Sequence, residues 1–216
     1  MIRRPPRSTQ SRSSAASDVY KRQLEDYADS FAISAHKIRG PKGVGGLWIA
    51  RPLEAFIRGG GQESGMRPGT ENLFGALAFS LAAEKAALSM QENQEKAIAL
   101  EKRLLDGISS IPNTLTLPER IPQDKGFVPS IISMAFPGLG GETMVRALSD
   151  CHIAVSTGSA CMSNIHLAER RVLKAMLVPD DIAFSSIRVS TGPLTTPQDI
   201  DSFLEQAEVL YRRLKT

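Results

Sequence analysis

Cysteine, histidine and tryptophan are scarce: 216 residues carry two, three and one of them. Two cysteines, Cys151 and Cys161, cannot build the disulfide framework of a small secreted scaffold. Together with His152 and His166 they match no common structural zinc spacing, so no structural metal is expected. No apolar run approaches the about 20 residues that a membrane-crossing helix needs, and no apolar signal-peptide stretch stands at the start. The expectation is a globular protein of a reducing, cytoplasmic compartment, with no membrane partner.

An excess of charge is also missing from the part that folds. The formal charge is +3, yet residues 1–23 hold six basic residues (Arg3, Arg4, Arg7, Arg12, Lys21, Arg22) against Asp18 alone. Removing those seven leaves 20 basic and 22 acidic residues, which gives a nucleic-acid partner no electrostatic support. Residues 1–23 are rich in Arg, Ser and Pro, nearly free of aliphatic side chains and without periodicity, so they read as a disordered tail. As an Arg-rich, acid-poor leader the stretch would make the protein mitochondrial. Ile2-Arg3-Arg4-Pro5-Pro6-Arg7-Ser8-Thr9 and Val19-Tyr20-Lys21-Arg22-Gln23 also resemble translated sequencing-adapter peptides, a reading on which the tail is not native.

With 42% hydrophobic residues the remainder has material for one sizeable core or two small domains. Periodicity predicts strands over 31–35 and 44–50, either side of the turn Gly40-Pro41-Lys42-Gly43, and hence a strand pair. A long helix is expected over 71–109, capped by Thr70 or Asn72, with an apolar stripe. Further strands are expected over 130–136, 153–155 and 186–190, and helices over 142–149 and 167–176. The last helix carries the fullest signal: Thr196 as N-cap, Pro197 first, Asp199 in the first turn, then Ile200, Phe203, Leu204, Ala207, Leu210, Tyr211 and Leu214 on one face. The alternation is that of an α/β protein.

Chemistry concentrates in four places. Ser34-Ala35-His36-Lys37 ends an apolar strand, where a partly buried amine would have its pKa lowered and could condense with a carbonyl. An exposed basic turn beside Arg39 and Lys42 is the plainer account of the same residues. Gly59-Gly60-Gly61-Gln62-Glu63-Ser64-Gly65-Met66-Arg67-Pro68-Gly69-Thr70 puts five glycines in a dozen positions ahead of the long helix, a candidate phosphate cradle, with a flexible linker as the alternative. Val155-Ser156-Thr157-Gly158-Ser159-Ala160-Cys161-Met162-Ser163 sets a thiol among small, polar neighbours, as a nucleophile on a mobile loop would be. In Ser186-Ile187-Arg188-Val189-Ser190 strand alternation turns Arg188 away from Ile187 and Val189, toward a polar site.

In order and approximate spacing these four motifs resemble the cysteine desulfurases of the class V aminotransferase family, from about residue 24 to the C-terminus. The resemblance implies the pyridoxal-phosphate-dependent transferase fold of the aspartate aminotransferase superfamily, with residues 24–85 a remnant of the cofactor-binding large domain and 86–216 the small α/β domain. It implies pyridoxal 5'-phosphate held covalently by Lys37, its phosphate bound by Ser34 and His36 and by Thr70 across a homodimer. It further implies Arg188 on the carboxylate of L-cysteine, and Cys161 as the nucleophile that takes the sulfur as a persulfide and leaves alanine. The acceptor would be an iron–sulfur scaffold or another sulfur-acceptor protein, with Cys161 open to a transient cluster contact.

The family's first segment supplies most of the cofactor-domain sheet, the imidazole stacked on the pyridine ring and the acid at the ring nitrogen. Nothing before Asp26 matches it, so the chain reads as a C-terminal half, and inactivity or aggregation is expected of the isolated polypeptide. Pro193 after Gly192 also departs from the usual pattern. Two other readings stand beside the desulfurase: another class V enzyme, such as a selenocysteine lyase or an aminotransferase relative, and a non-catalytic module that docks to a scaffold. Cys151 reads as a structural thiol at a helix end.

Overall fold

The computed structural model of the chain describes residues 28–51, 53–124, 126–157 and 171–215. The tail, the Gly158-Ser159-Ala160-Cys161 stretch, His166 and the first part of the helix expected over 167–176 lie outside the described residues. The chain divides into two units, Met1–Met90 and Gln91–Thr216.

In the first unit, β1 (Ser30–Ser34) and β2 (Gly45–Ile49) pair antiparallel, Phe31 opposite Trp48 and Ile33 opposite Gly46. The Phe31 and Trp48 rings stack with centroids 5.1 Å apart, the cross-strand aromatic pair that stabilises a short ribbon. Between the strands the chain makes a short 3-10 turn, Ala35–Ile38, closed by Arg39 at φ 65°. Helix α1 (Leu73–Leu88) is capped by Asn72, whose side chain accepts the Gly75 N–H at 2.9 Å. Gly75 is where the helix approaches the strand pair: a Cβ there would lie 2.5 Å from Val44 Cγ2. No other residue of α1 is buried, and Phe74 and Leu88 are 90% and 82% exposed.

The single helix expected over 71–109 is two helices. Ser89 ends α1: its N–H and its hydroxyl both donate to the Lys85 carbonyl, at 3.1 and 2.9 Å. A serine hydroxyl that bonds back into the preceding turn competes with helix continuation. Helix α2 (Met90–Ser109) then begins, and it is amphipathic where α1 is apolar all round, burying Leu100, Leu104, Leu105 and Ile108.

The second unit is a three-stranded antiparallel sheet, β3 (Leu115–Thr116), β4 (Ile131–Ala135) and β5 (Ser186–Ser190), in that order. Its core joins Ile132 and Met134 of β4 and Ile187 and Val189 of β5 to three helices: α2, α3 (Gly141–Asp150) through Met144 and Leu148, and the C-terminal helix α6. Two short helices, α4 (Arg171–Ala175) and α5 (Asp180–Phe184), precede β5. Helix α6 (Pro197–Leu214) has the expected start: Thr196 accepts the Asp199 N–H while the Asp199 carboxylate accepts the Thr196 N–H. It buries Ile200, Phe203, Ala207, Leu210 and Tyr211, each large side chain contributing about 1.5–3 kcal/mol of burial. Gly107 lets α2 and α6 meet, because a Cβ there would collide with the Leu204 side chain.

The strand expected over 153–155 is absent. Its place is taken by one isolated bridge, Ser156 opposite Arg188, reached after Ile153 N–H turns back onto Leu148 at 2.9 Å. Three residues that leave a helix C-terminus in this way have no room for a ladder.

Candidate active site

Ser34, His36 and Lys37 are brought together by the turn that follows β1. Ala35, fully buried between them, sets its geometry: its N–H donates to the Val44 carbonyl at 3.0 Å and its own carbonyl accepts the Gly40 N–H at 2.8 Å. Gly40 is required by that approach, since a Cβ there would lie 2.9 Å from Ala35 Cβ and 3.0 Å from the Ala35 oxygen. A backbone fastened at both ends presents three side chains in a fixed order. All three are exposed, which agrees with the basic-turn account of Lys37 and not with a partly buried amine. Among the described residues of this unit a two-stranded ribbon and one helix flank the turn, and that is too little structure to desolvate a lysine.

The donor set fits an aldehyde-bearing phosphate ester. A primary amine, an imidazole and a hydroxyl stand within four consecutive residues, and Ser34, although it begins the 3-10 turn, makes no capping bond with its side chain. Thr70 lies in the same unit, exposed, at the end of a loop whose Gly65 and Gly69 adopt φ +79° and +103°. Its hydroxyl is not spent on the helix, because Asn72 is the cap.

Arg188 belongs to the second unit, half-buried at the centre of β5. Ile187 and Val189 enter the core, so the expected alternation holds and Arg188 faces the other side of the sheet. Its N–H and carbonyl bond to the Ser156 carbonyl and N–H at 2.5 and 3.2 Å, and Ser133 of β4 stands opposite it. The motif reading passed over Ser133 and took Ser156 only as a small polar neighbour of Cys161; they sit 55 and 32 positions from Arg188 in sequence and become its neighbours only through strand register. Ser186, on the Arg188 face, is buried with its hydroxyl on the Ala183 carbonyl at 2.8 Å. Cys161 lies outside the described residues.

Among the described residues no group of three His, Cys, Asp or Glu is arranged to hold a metal. Cys151 follows α3, half-buried, its Sγ 3.5 Å from Gln206 Oε1, and His152 beside it has φ 62°. The buried ion pair Arg120–Glu101 escaped the sequence reading altogether. Its atoms meet at 3.3 Å with side chains only 5% and 2% exposed, Arg120 also donating to the Ile131 carbonyl at 3.0 Å and lying 5.4 Å over the Phe127 ring. Burial pushes the Arg120 guanidinium below its ordinary value, against the opposing pull of Glu101 and Asp124. No local pattern announces such a pair, since partner and burial are both tertiary.

The Aminotransferase class-V family profile matches residues 10–203 of this chain, starting inside the stretch taken for a tail. Cysteine desulfurase IscS of Vibrio vulnificus strain CMCP6 is 38% identical over 210 residues, covering 95% of this chain and 49% of that protein. A cysteine desulfurase of Enterobacter agglomerans is 37% identical over 193 residues, covering 87% and 46%. Among solved structures, a NifS-like protein superposes with a TM-score of 0.73 at 32% identity over 87% of this chain and 47% of its own. A NifS-like protein from Rickettsia africae ESF-5 gives 0.71 at 29%, over 85% and 48%. The chain thus spans about half the length of the relatives it matches, and the mixed helix and strand fold is the one that the motifs implied. On this agreement of profile, relatives and fold, the chain belongs to the class-V aminotransferase family.

Proposed function

We propose that the chain is part of a pyridoxal-phosphate-dependent cysteine desulfurase, which removes sulfur from L-cysteine, leaves L-alanine and carries the sulfur as a persulfide on Cys161. The observation that supports this most is the turn fastened at Ala35, which presents hydroxyl, imidazole and amine together. Bound there, the cofactor would supply an electron sink for bonds breaking at the amino-acid substrate. Lys37 would hold its aldehyde carbon through Nζ and then move a proton at the substrate α-carbon. Ser34 and His36 would hold its phosphate, and Thr70 would reach the same group across a homodimer. Arg188 would take the substrate carboxylate, for which a planar two-pronged donor is suited. The Cys161 thiolate would attack the substrate sulfur, an S–S bond forming as the C–S bond breaks. A scaffold or other acceptor protein would then receive that sulfur.

Incubation of the chain with pyridoxal phosphate, followed by borohydride reduction and peptide mapping, tests the reading at its root. The modified residue is expected to be Lys37, and a label fixed on another lysine would sink the assignment. Alanine release from L-cysteine is the second measurement, expected to be weak in a chain that spans half of its relatives. Sulfur transfer that survives Cys161→Ala would move the reading to a different class V activity.

A further inference from the structure

Beyond the short strand β3, the edge of β4 is closed by a side chain. The register sets Leu115 against Ala135 and Thr116 against Met134, and the Leu117 N–H then donates to the Ser133 carbonyl at 2.8 Å. Antiparallel bonds recur at every second residue, so the next would reach the Ile131 carbonyl from residue 119. Arg120 supplies that bond instead, Nη2 donating to the Ile131 carbonyl at 3.0 Å. Its Nη1 reaches the Val128 carbonyl at 3.5 Å, onto which the Ile131 N–H also turns back at 3.3 Å. Glu101 of α2 holds the same connection from beneath: Oε1 lies 3.3 Å from Arg120 Nη2, and Oε2 accepts the Gln123 N–H at 3.2 Å. The fit is incomplete. Glu101 Oε1 and Arg120 Nε are both buried, and neither has a hydrogen-bond partner among the described residues. Two charges taken out of water without full hydrogen bonding hold each other less firmly than their distance suggests.

We infer that the Arg120–Glu101 pair is a latch, and that residues 118–124 and 126–129 belong to a strap which it releases as one unit while β4 and β5 stay paired. The ends of the strap are tied to the sheet by backbone bonds, Leu117 to Ser133 and, at the other end, the Thr191 N–H to the Ser130 carbonyl at 2.9 Å. Between those ends apolar anchorage is slight, Ile121 being 72% exposed, and a segment with few buried apolar contacts opens locally. Release breaks the ion contact and the Gln123 bond to Glu101 together with the Arg120 bond to Ile131. The strand that carries Arg188 keeps its pairing with β4 when the far edge of β4 opens.

Amide hydrogen exchange of the full 216-residue chain, followed at several low urea concentrations, tests this. The Gln123, Asp124 and Phe127 N–H groups, all bonded within the strap or to Glu101, are expected to share one opening equilibrium, more open than that of Ile187 and Val189 and nearly independent of urea, because a local opening exposes little surface. Glu101→Gln keeps the shape and removes the charge, and is expected to speed the three together by about tenfold. Thr196→Ala, which removes the cap of α6 and lowers the stability of the whole unit, should speed Ile187 and Val189 and leave the strap at the parent rate. Strap amides that open in the parent only together with Ile187 and Val189 would overturn the inference without any variant. So would strap rates unchanged in Glu101→Gln, or raised in Thr196→Ala.

Discussion

Lys37 and the Arg120–Glu101 pair are opposite cases of a charged side chain. Lys37 is exposed in the turn after β1, so Lys37→Ala should leave the unfolding midpoint nearly unchanged while abolishing the borohydride-trapped cofactor adduct, read by peptide mass. Arg120 and Glu101 are enclosed, so removing one leaves the other as an unpaired buried charge, at a cost of about 3–5 kcal/mol. Arg120→Met should show that loss in urea unfolding, and adding Glu101→Leu should recover a large part of it, since two apolar groups of similar size can fill the same space. A double variant no more stable than the single one would mean that the Arg120 bonds to backbone carbonyls matter more than the pair. The exposure of Lys37 was legible in the sequence, in the basic turn it shares with Arg39 and Lys42. The pair was invisible, because nothing local to residue 101 or 120 says that the chain brings them together.

Among the elements, β5 and α6 were legible because their signals are local. Alternation over Ser186–Ser190 and the Thr196-Pro197-Asp199 start are complete within a few residues. The boundary at Ser89 carried a signal that was there to be read: apolar residues surround the axis before it and keep to one face after it. Helix α5 had one too, in Pro179 followed by Asp180 and Asp181, whereas the two residues of β3 are fewer than any periodicity can register. The start of α6 gives two predictions. Thr196→Ala should lower stability by about 1 kcal/mol, as loss of an N-cap does, measured by urea unfolding. The Thr196 N–H and then its hydroxyl hold the Asp199 carboxyl below its ordinary 3.8, and the Arg103 guanidinium does the same to Asp201. A carboxyl depressed in the folded state contributes stability above its ordinary value and loses it as pH falls through the folded one. Tm should therefore hold steady from pH 7 to about 5 and fall below about 4, less steeply in Asp199→Asn, as a calorimetric pH series would record.

At the scale of the molecule, the two units differ in how they satisfy their apolar side chains. The core of the second is drawn wholly from residues between Leu100 and Leu214. The first leaves Phe56, Phe74, Leu77, Leu81 and Leu88 exposed, large apolar side chains of the kind that favour association when they lie together on a surface. The purified chain should therefore bind a hydrophobic dye and sediment above its 23.4 kDa monomer mass, while residues 91–216 alone should unfold cooperatively as a monomer. A truncated form that fails to fold would show that the first unit is needed for the second. Ser89 gives this division its covalent address. Since the hydroxyl that stops α1 bonds within the turn it terminates, a gene fusion that keeps Ser89 and Met90 ahead of Gln91 retains the whole of α2, and the portion carrying Arg188 becomes transferable to a new upstream partner without any contact to rebuild inside its own core.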